Sequence, residues 1–219
     1  MLNILIVVLA IILLNVLLYF ENKQQMKGLL PTKTLLSSLF ILTALLQPHP
    51  MLRYYHFMLA GLLFCLAGDV LLALPREKMF LWGLIAFLLG HVFYIFAFLN
   101  ITRSGPWTWM GAFIILIVSS VIYFKLRPHL GTMKIPVLCY CMVISVMLAG
   151  AWSIFADSGL TRPGRMMVFS GALFFYISDI FVARDRFLKK EFFNRLIGLP
   201  LYYAGQFLLV FSIGLLRPY

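Results

Sequence analysis

Eight runs of about 20 apolar residues fill this chain, and that is the length a helix needs to cross the hydrocarbon core of a bilayer. They cover approximately residues 2–20, 30–47, 56–74, 80–100, 106–125, 135–156, 166–184 and 196–216. In lipid, backbone N–H and C=O groups must be satisfied within the segment, so such runs fold as helices. Little of the 219-residue chain is left for anything but short connections. The sequence predicts an all-α integral membrane protein, a single polytopic domain over residues 1–219 with eight transmembrane helices. Charged residues make up 11% of the chain and hydrophobic ones 63%, which excludes a soluble globule.

The formal charge of +11 comes from Lys and Arg scattered between apolar runs. No basic patch forms, so nucleic acid is excluded as a partner. Cys65, Cys139 and Cys141 all lie inside apolar runs, with neither a disulfide framework nor a metal spacing. Residues 2–20 lack a basic n-region and a cleavage site, and read as a retained first helix. Pro31, Pro106, Pro136 and Pro200 are expected near helix starts, and Pro48, Pro75, Pro128 and Pro218 at or past helix ends. The spans are therefore expected to be uninterrupted.

Thirteen of the 18 Lys and Arg residues fall in the connections after runs 1, 3, 5 and 7. The other five are Arg53, Arg103, Arg162, Arg165 and Arg217. Because cytoplasmic loops carry the excess of Lys and Arg, this bias puts the first set in the cytoplasm and both termini outside. The expected location is a bacterial inner membrane.

The two halves, 1–104 and 105–219, resemble each other. Gly61 to Asp69 aligns with Gly171 to Asp179, and Gly83, Gly90 and His91 align with Gly198, Gly205 and Gln206. The offset is four spans, which implies a parallel repeat with a pseudo-two-fold axis along the membrane normal. The glycines read as small-residue seams for close helix packing.

Of the seven acidic residues, Glu21, Glu77, Asp157, Asp185 and Glu191 are expected in loops or at helix ends. Asp69 and Asp179 lie inside spans, where a charge costs about 2.5–3.5 kcal/mol or more and marks a functional site by default. Each precedes its cytoplasmic loop by about five residues, or about 7–8 Å at 1.5 Å per residue. At equal depth they are expected to face each other. Two close carboxyl groups cannot easily both ionise, which suits one to act as general acid and the other as general base. Alternatively each aspartate is structural, bonding a neighbouring helix or pairing with Arg76 or Arg184.

Among the remaining polar groups, His91 and Tyr94 share a helix face, as do Tyr202 and Gln206. They line a polar cavity or make interhelical hydrogen bonds, and the latter is the first reading for Tyr140 and Ser145. A metal site of Asp69, His91 and Asp179 lacks a second ligand at helical spacing, and no metal is expected. Ser170 and Ser178 lie on the Asp179 helix but outside any nucleophile-elbow sequence. Lys33, Lys134, Arg184 and Arg186 sit at cytoplasmic span ends, where a phospholipid head group would meet them.

Gly68-Asp69, Gly90-His91-Val-Phe-Tyr94, Gly171 through Ser178-Asp179, and Tyr202-Tyr-Ala-Gly-Gln206, with Pro-Thr-Lys33, resemble the YhhN-like family, the lysoplasmalogenases. The resemblance implies a membrane hydrolase with eight helices, acting on a lysophospholipid substrate among membrane lipids. It would cleave the vinyl ether bond of lysoplasmalogens to a fatty aldehyde and a glycerophospho-head group. Asp69 and Asp179 would be catalytic. Lys33, His91, Tyr94, Tyr140, Tyr202 and Gln206 would bind substrate, and no cofactor is needed. The competing readings are a proton-coupled transporter or lipid-handling protein using the two aspartates as relays, and a non-catalytic membrane protein.

Overall fold

The computed structural model describes residues 2–102 and 105–219, without the side chain of Glu77. Arg103, counted above among the external cations, lies outside the described residues. The chain forms eight helices: α1 Leu2–Lys23, α2 Met26–Leu46, α3 Leu52–Leu72, α4 Glu77–Leu99, α5 Pro106–Leu126, α6 Lys134–Ala156, α7 Arg162–Phe187 and α8 Phe192–Leu215. All eight are long and apolar enough to cross a membrane. Among the described residues there is no strand, only an isolated bridge between Leu160 and Pro218. The all-α membrane architecture is as the sequence predicts.

Several helices begin three or four residues earlier than their apolar runs. Met26, Leu52, Arg162 and Phe192 open turns that hold polar and charged side chains, because a helix continues past the hydrocarbon where such residues reach the interface. Pro31 and Pro200, expected at helix starts, consequently lie inside α2 and α8. Only the first four N–H groups of a helix lack an intrahelical partner, so each proline removes a real bond, to the carbonyl of Lys27 or Leu196. Both helices nevertheless run on through the proline.

Helix α8 is the most buried, and α1 and α5 are the least. Apolar side chains such as Ile4 and Phe113 point outward from α1 and α5, as lipid-facing surfaces do. The closest packing is within the α3–α4 and α7–α8 pairs. There the glycines meet backbone to backbone. A Cβ on Gly61 would lie 3.0 Å from the Gly90 carbonyl oxygen, and one on Gly90 would lie 3.1 Å from that of Gly61. In the other pair, a Cβ on Gly171 or on Gly205 would lie 2.8 Å from the oxygen of its partner. Two turns along, Gly83 faces the Gly68 carbonyl and Gly198 faces that of Ser178. The aligned positions of the two halves thus occupy matching places in the two seams.

This tightness predicts the effect of a side chain. Gly171→Leu is expected to destabilise the purified protein by about 1–3 kcal/mol through overpacking. Gly105→Ala, where a Cβ meets nothing within 4 Å, is the control. Thermal unfolding in detergent reads both, and an equal response would show that the seam has slack.

Candidate active site

Asp69 lies near the end of α3 and is 1% exposed. Lys33 Nζ is 3.1 Å from its Oδ1. Ser37 Oγ and Tyr202 OH each donate to Oδ2 at 2.6 Å. Lys33 and Ser37 are four residues apart on α2, so both reach α3 from one helix face. Tyr203 OH lies 3.1 Å from Ser37 Oγ and donates to it, since the Ser37 proton is used on Asp69. The carboxylate thereby ties α2, α3 and α8 together. Lys33, expected at the mouth for a head group, is buried and committed to Asp69. A lone ammonium in that interior would cost several kcal/mol, which pairing offsets.

Asp179, two turns before the end of α7, has different company. Tyr140 OH, from α6, donates to its Oδ2 at 2.6 Å. His91 Nε2 lies 2.9 Å from Tyr140 OH and 3.7 Å from Asp179 Oδ2. With its only proton on Asp179, Tyr140 must accept from His91, which places a proton on Nε2. Among the described residues His91 Nδ1 is buried without a hydrogen-bond partner. Among the described residues no Lys or Arg forms an ion pair with Asp179, whose side chain is 20% exposed. Arg184, considered above as a partner, instead faces Glu191 at 3.5 Å.

A second chain of the same kind leads to Asp69. Tyr94 OH donates to Gln206 Oε1 at 2.8 Å, and Gln206 Nε2 donates to Tyr202 OH at 3.3 Å. Cys65 Sγ contributes a long bond to Tyr94 OH at 3.8 Å. Thus Gln206–Tyr202–Asp69 and His91–Tyr140–Asp179 are parallel relays. Each carries a donor through one tyrosine to one aspartate. Phe175 packs edge-on between them, 4.7 Å from the His91 ring and 5.1 Å from that of Tyr202.

Both aspartates line one cavity of about 110 Å³, with Lys33, Tyr140 and Tyr202 and a largely apolar wall. That is room for several waters. Helices α2, α5 and α6 contribute to the wall as well as the expected α3, α4, α7 and α8. His91, Tyr94 and Gln206 are fully buried behind the wall. Ser178 donates to the Gly198 carbonyl at 2.9 Å and belongs to the helix seam. Among the described residues no three His, Cys, Asp or Glu side chains converge.

The sequence reading missed Ser37 and Asp185. Ser37 was discoverable from its spacing to Lys33; Asp185 was not. Expected in a loop or at a helix end, Asp185 is buried in the last turn of α7. It accepts from Arg195 Nη2 at 3.0 Å and Nε at 3.1 Å, from Asn194 Nδ2 at 3.4 Å, and from the Glu191 backbone N–H at 3.3 Å. It so anchors the start of α8, where negative charge is favourable. Beside it, the hydrogen bond from Lys189 holds the Glu191 carboxyl below the usual carboxylate range. A second, more polar cavity of about 490 Å³ lies here, against α1, α2 and the α7–α8 linker.

The sequence model of the YhhN family matches residues 29–213, a span that contains every polar group of the two relays. Over 158 residues the chain is 33% identical to mouse lysoplasmalogenase TMEM86B, covering 71% of this chain and 62% of the relative. It is 29% identical over 170 residues to a lysoplasmalogenase of Mycobacterium tuberculosis, covering 75% and 61%. It is 27% identical over 162 residues to the membrane protein YhhN of Escherichia coli, covering 73% and 75%. The chain thus spans a little over three fifths of the lysoplasmalogenases it matches. No solved structure matches it. With a family match over most of its length and its polar groups inside that match, the chain belongs to the YhhN family.

Proposed function

We propose that this protein hydrolyses the vinyl ether bond of lysoplasmalogens within the membrane, releasing a fatty aldehyde and a glycerophospho-alcohol. The observation that carries the reading is the inequality of two aspartates on one largely apolar cavity. Asp69 has a permanent countercharge in Lys33. Asp179 has a tyrosine, a histidine ring and an opening to the cavity. The names of the mouse and mycobacterial relatives support the same chemistry.

The reaction requires a proton on the enol-ether carbon remote from oxygen, which leaves an oxocarbenium ion. In this mechanism Asp179 is the acid. Tyr140 occupies its Oδ2, leaving Oδ1 to present the proton to the cavity. The Asp69 carboxylate stabilises the developing cation, and its geometry is fixed in advance by three partners. Water then adds to the cationic carbon, and its proton passes to the Asp179 carboxylate. The hemiacetal collapses to aldehyde and alcohol, with Asp179 again carrying a proton. The balance is one water consumed and no net proton. His91 and Gln206 orient the tyrosines rather than touch substrate. Lys33 acts through Asp69.

We place the protein in the cytoplasmic membrane of a bacterial cell as a multi-pass protein, with residues 185–194 in the cytoplasm and both termini outside. The bias of Lys and Arg supports this orientation. The matching seams support a parallel repeat of the two halves.

Asp179→Asn is expected to lower aldehyde release from a lysoplasmenyl lipid by about 10²-fold or more, the range for a positioned general acid, while leaving thermal stability near that of the parent. Asp69→Asn is expected to lose activity and also stability, because Lys33 is left unpaired at a cost of about 3–5 kcal/mol. Combining it with Lys33→Met is expected to restore the stability but not the activity. Recovery of both would reduce Asp69 to a structural role, and proton-linked uptake of lipid without turnover would replace the hydrolase with a transporter. Chelators are expected to leave the rate within about twofold of the untreated enzyme, since the acid and the stabilising base are carboxyl groups. Inactivation by EDTA that zinc reverses would make the aspartates ligands instead. For orientation, a cysteine at position 190 is expected to resist a membrane-impermeant thiol reagent in intact cells, and labelling from outside would invert the topology.

A further inference from the structure

Three tyrosines line the apolar cavity, and two of them, Tyr140 and Tyr202, donate to the aspartates. The third, Tyr176, points its proton elsewhere. Its hydroxyl lies 2.6 Å from Ser119 Oγ on α5, Ser119 Oγ lies 2.6 Å from Ser145 Oγ on α6, and Ser145 donates to the Cys141 carbonyl at 2.6 Å. A hydroxyl has one proton to give. Ser145 spends its proton on the carbonyl, so Ser119 donates to Ser145, and Tyr176 in turn donates to Ser119. The three hydroxyls are thus polarised in one direction, from α7 through α5 into α6. Helix α5, among the least buried, nevertheless buries Ser119 together with Gly111 and Leu126.

Ser119 and Tyr176 both line the cavity, so the bond between them lies on its wall. With its proton committed to Ser119, the Tyr176 oxygen can only accept on its remaining side, and among the described residues nothing donates to it. Tyr176 and Asp179 are three residues apart and share a face of α7, and both border the same space of about 110 Å³. Tyr140 fills Oδ2 of Asp179, which leaves Oδ1 as a second acceptor. Two acceptors on one helix face, each short of a donor, suit a small molecule with two O–H groups. Water is that molecule.

We propose that Tyr176 and Asp179 together hold the nucleophilic water, with Ser119 and Ser145 as positioning residues that keep the Tyr176 oxygen an acceptor. The role rests on the hydrolase reading. After Asp179 has given its proton to the enol-ether carbon, its carboxylate accepts one O–H of the water and Tyr176 accepts the other. The water is left with a lone pair to place on the oxocarbenium carbon. The new C–O bond forms, the O–H directed at Asp179 breaks, and its proton returns to that carboxyl group. Tyr176 neither gains nor loses a proton. Two fixed O–H groups orient the attacking lone pair, which one alone would leave free to turn.

The proposal separates water from methanol. Methanol has one O–H, for Asp179, and carries a methyl group where the second is wanted. Its addition gives a mixed acetal, which has no hydroxyl proton to lose and does not collapse to aldehyde. The test supplies an alkenyl lysolipid to the purified protein in dilute methanol and measures acetal against aldehyde by mass spectrometry. This ratio records the addition step whichever step limits turnover. Tyr176→Phe is expected to raise the acetal share about five- to tenfold, the range of one hydrogen bond, with KM for the lipid within about twofold of the parent. Ser119→Ala is expected to shift the ratio the same way without touching the water, and Ser119→Thr, which keeps the hydroxyl, to hold it near the parent. Ile144→Val widens the same cavity without altering a hydroxyl and is expected to leave the ratio unmoved. Thermal unfolding checks that each variant is folded. A ratio unchanged in both Tyr176→Phe and Ser119→Ala, or raised equally by Ile144→Val, in a protein that still makes aldehyde would overturn the water site alone. A parent that yields neither product would remove the hydrolase reading and the water site with it.

Discussion

The buried pair of Lys33 and Asp69 is the interaction on which the rest of the arrangement depends. An aspartate and a lysine inside a lipid-embedded bundle are each costly alone. Together they are tolerable only with good geometry and with the remaining lone pairs satisfied. Ser37 and Tyr202 supply that satisfaction, and in doing so they fix the positions of α2 and α8 against α3. Close glycine contact then sets α4 against α3 and α7 against α8. The cavity wall is what these constraints leave open.

The two halves use one chemical pattern for two ends. In each, a donor on the fourth helix of the half faces an aspartate from the other half through a tyrosine hydroxyl. The tyrosines differ in origin: Tyr202 shares α8 with Gln206, whereas Tyr140 comes from α6 and His91 from α4. Among the described residues the one added cation, Lys33, is on the Asp69 side. Phe175 packs between the relays, and among the described residues the aspartates share a cavity without sharing a hydrogen-bond chain. Two acidic groups at aligned positions in the sequence are thereby given unequal surroundings, which is what acid and base roles require.

Much of this was legible before any coordinates. Helix number follows from run length and the lack of water in lipid. Asp69 and Asp179 stood out because charge inside an apolar run needs a reason, and the glycines because they align between halves. What could not be read was partnership across helices. Lys33 reads as an interfacial cation because the apolar run begins only at residue 30; with α2 starting at Met26, it lies two turns in and can turn inward. Asp185 carried no intramembrane signal, since its burial depends on how the α7–α8 linker folds back. Proline positions shifted for the same reason as Lys33. Apolar composition marks the hydrocarbon, while helices end where their hydrogen bonds end.

The two cavities are walled in part by the same four side chains, Lys33, Leu72, Asp185 and Arg195. Neither chamber can therefore be reshaped alone. A substitution at Arg195 changes the boundary of both and releases Asp185 as well, so variants on this shared wall are expected to combine non-additively, as neighbours in one network do. The partition between a polar and an apolar space is thus itself a piece of the packing, held by ion pairs rather than by a continuous layer of hydrocarbon.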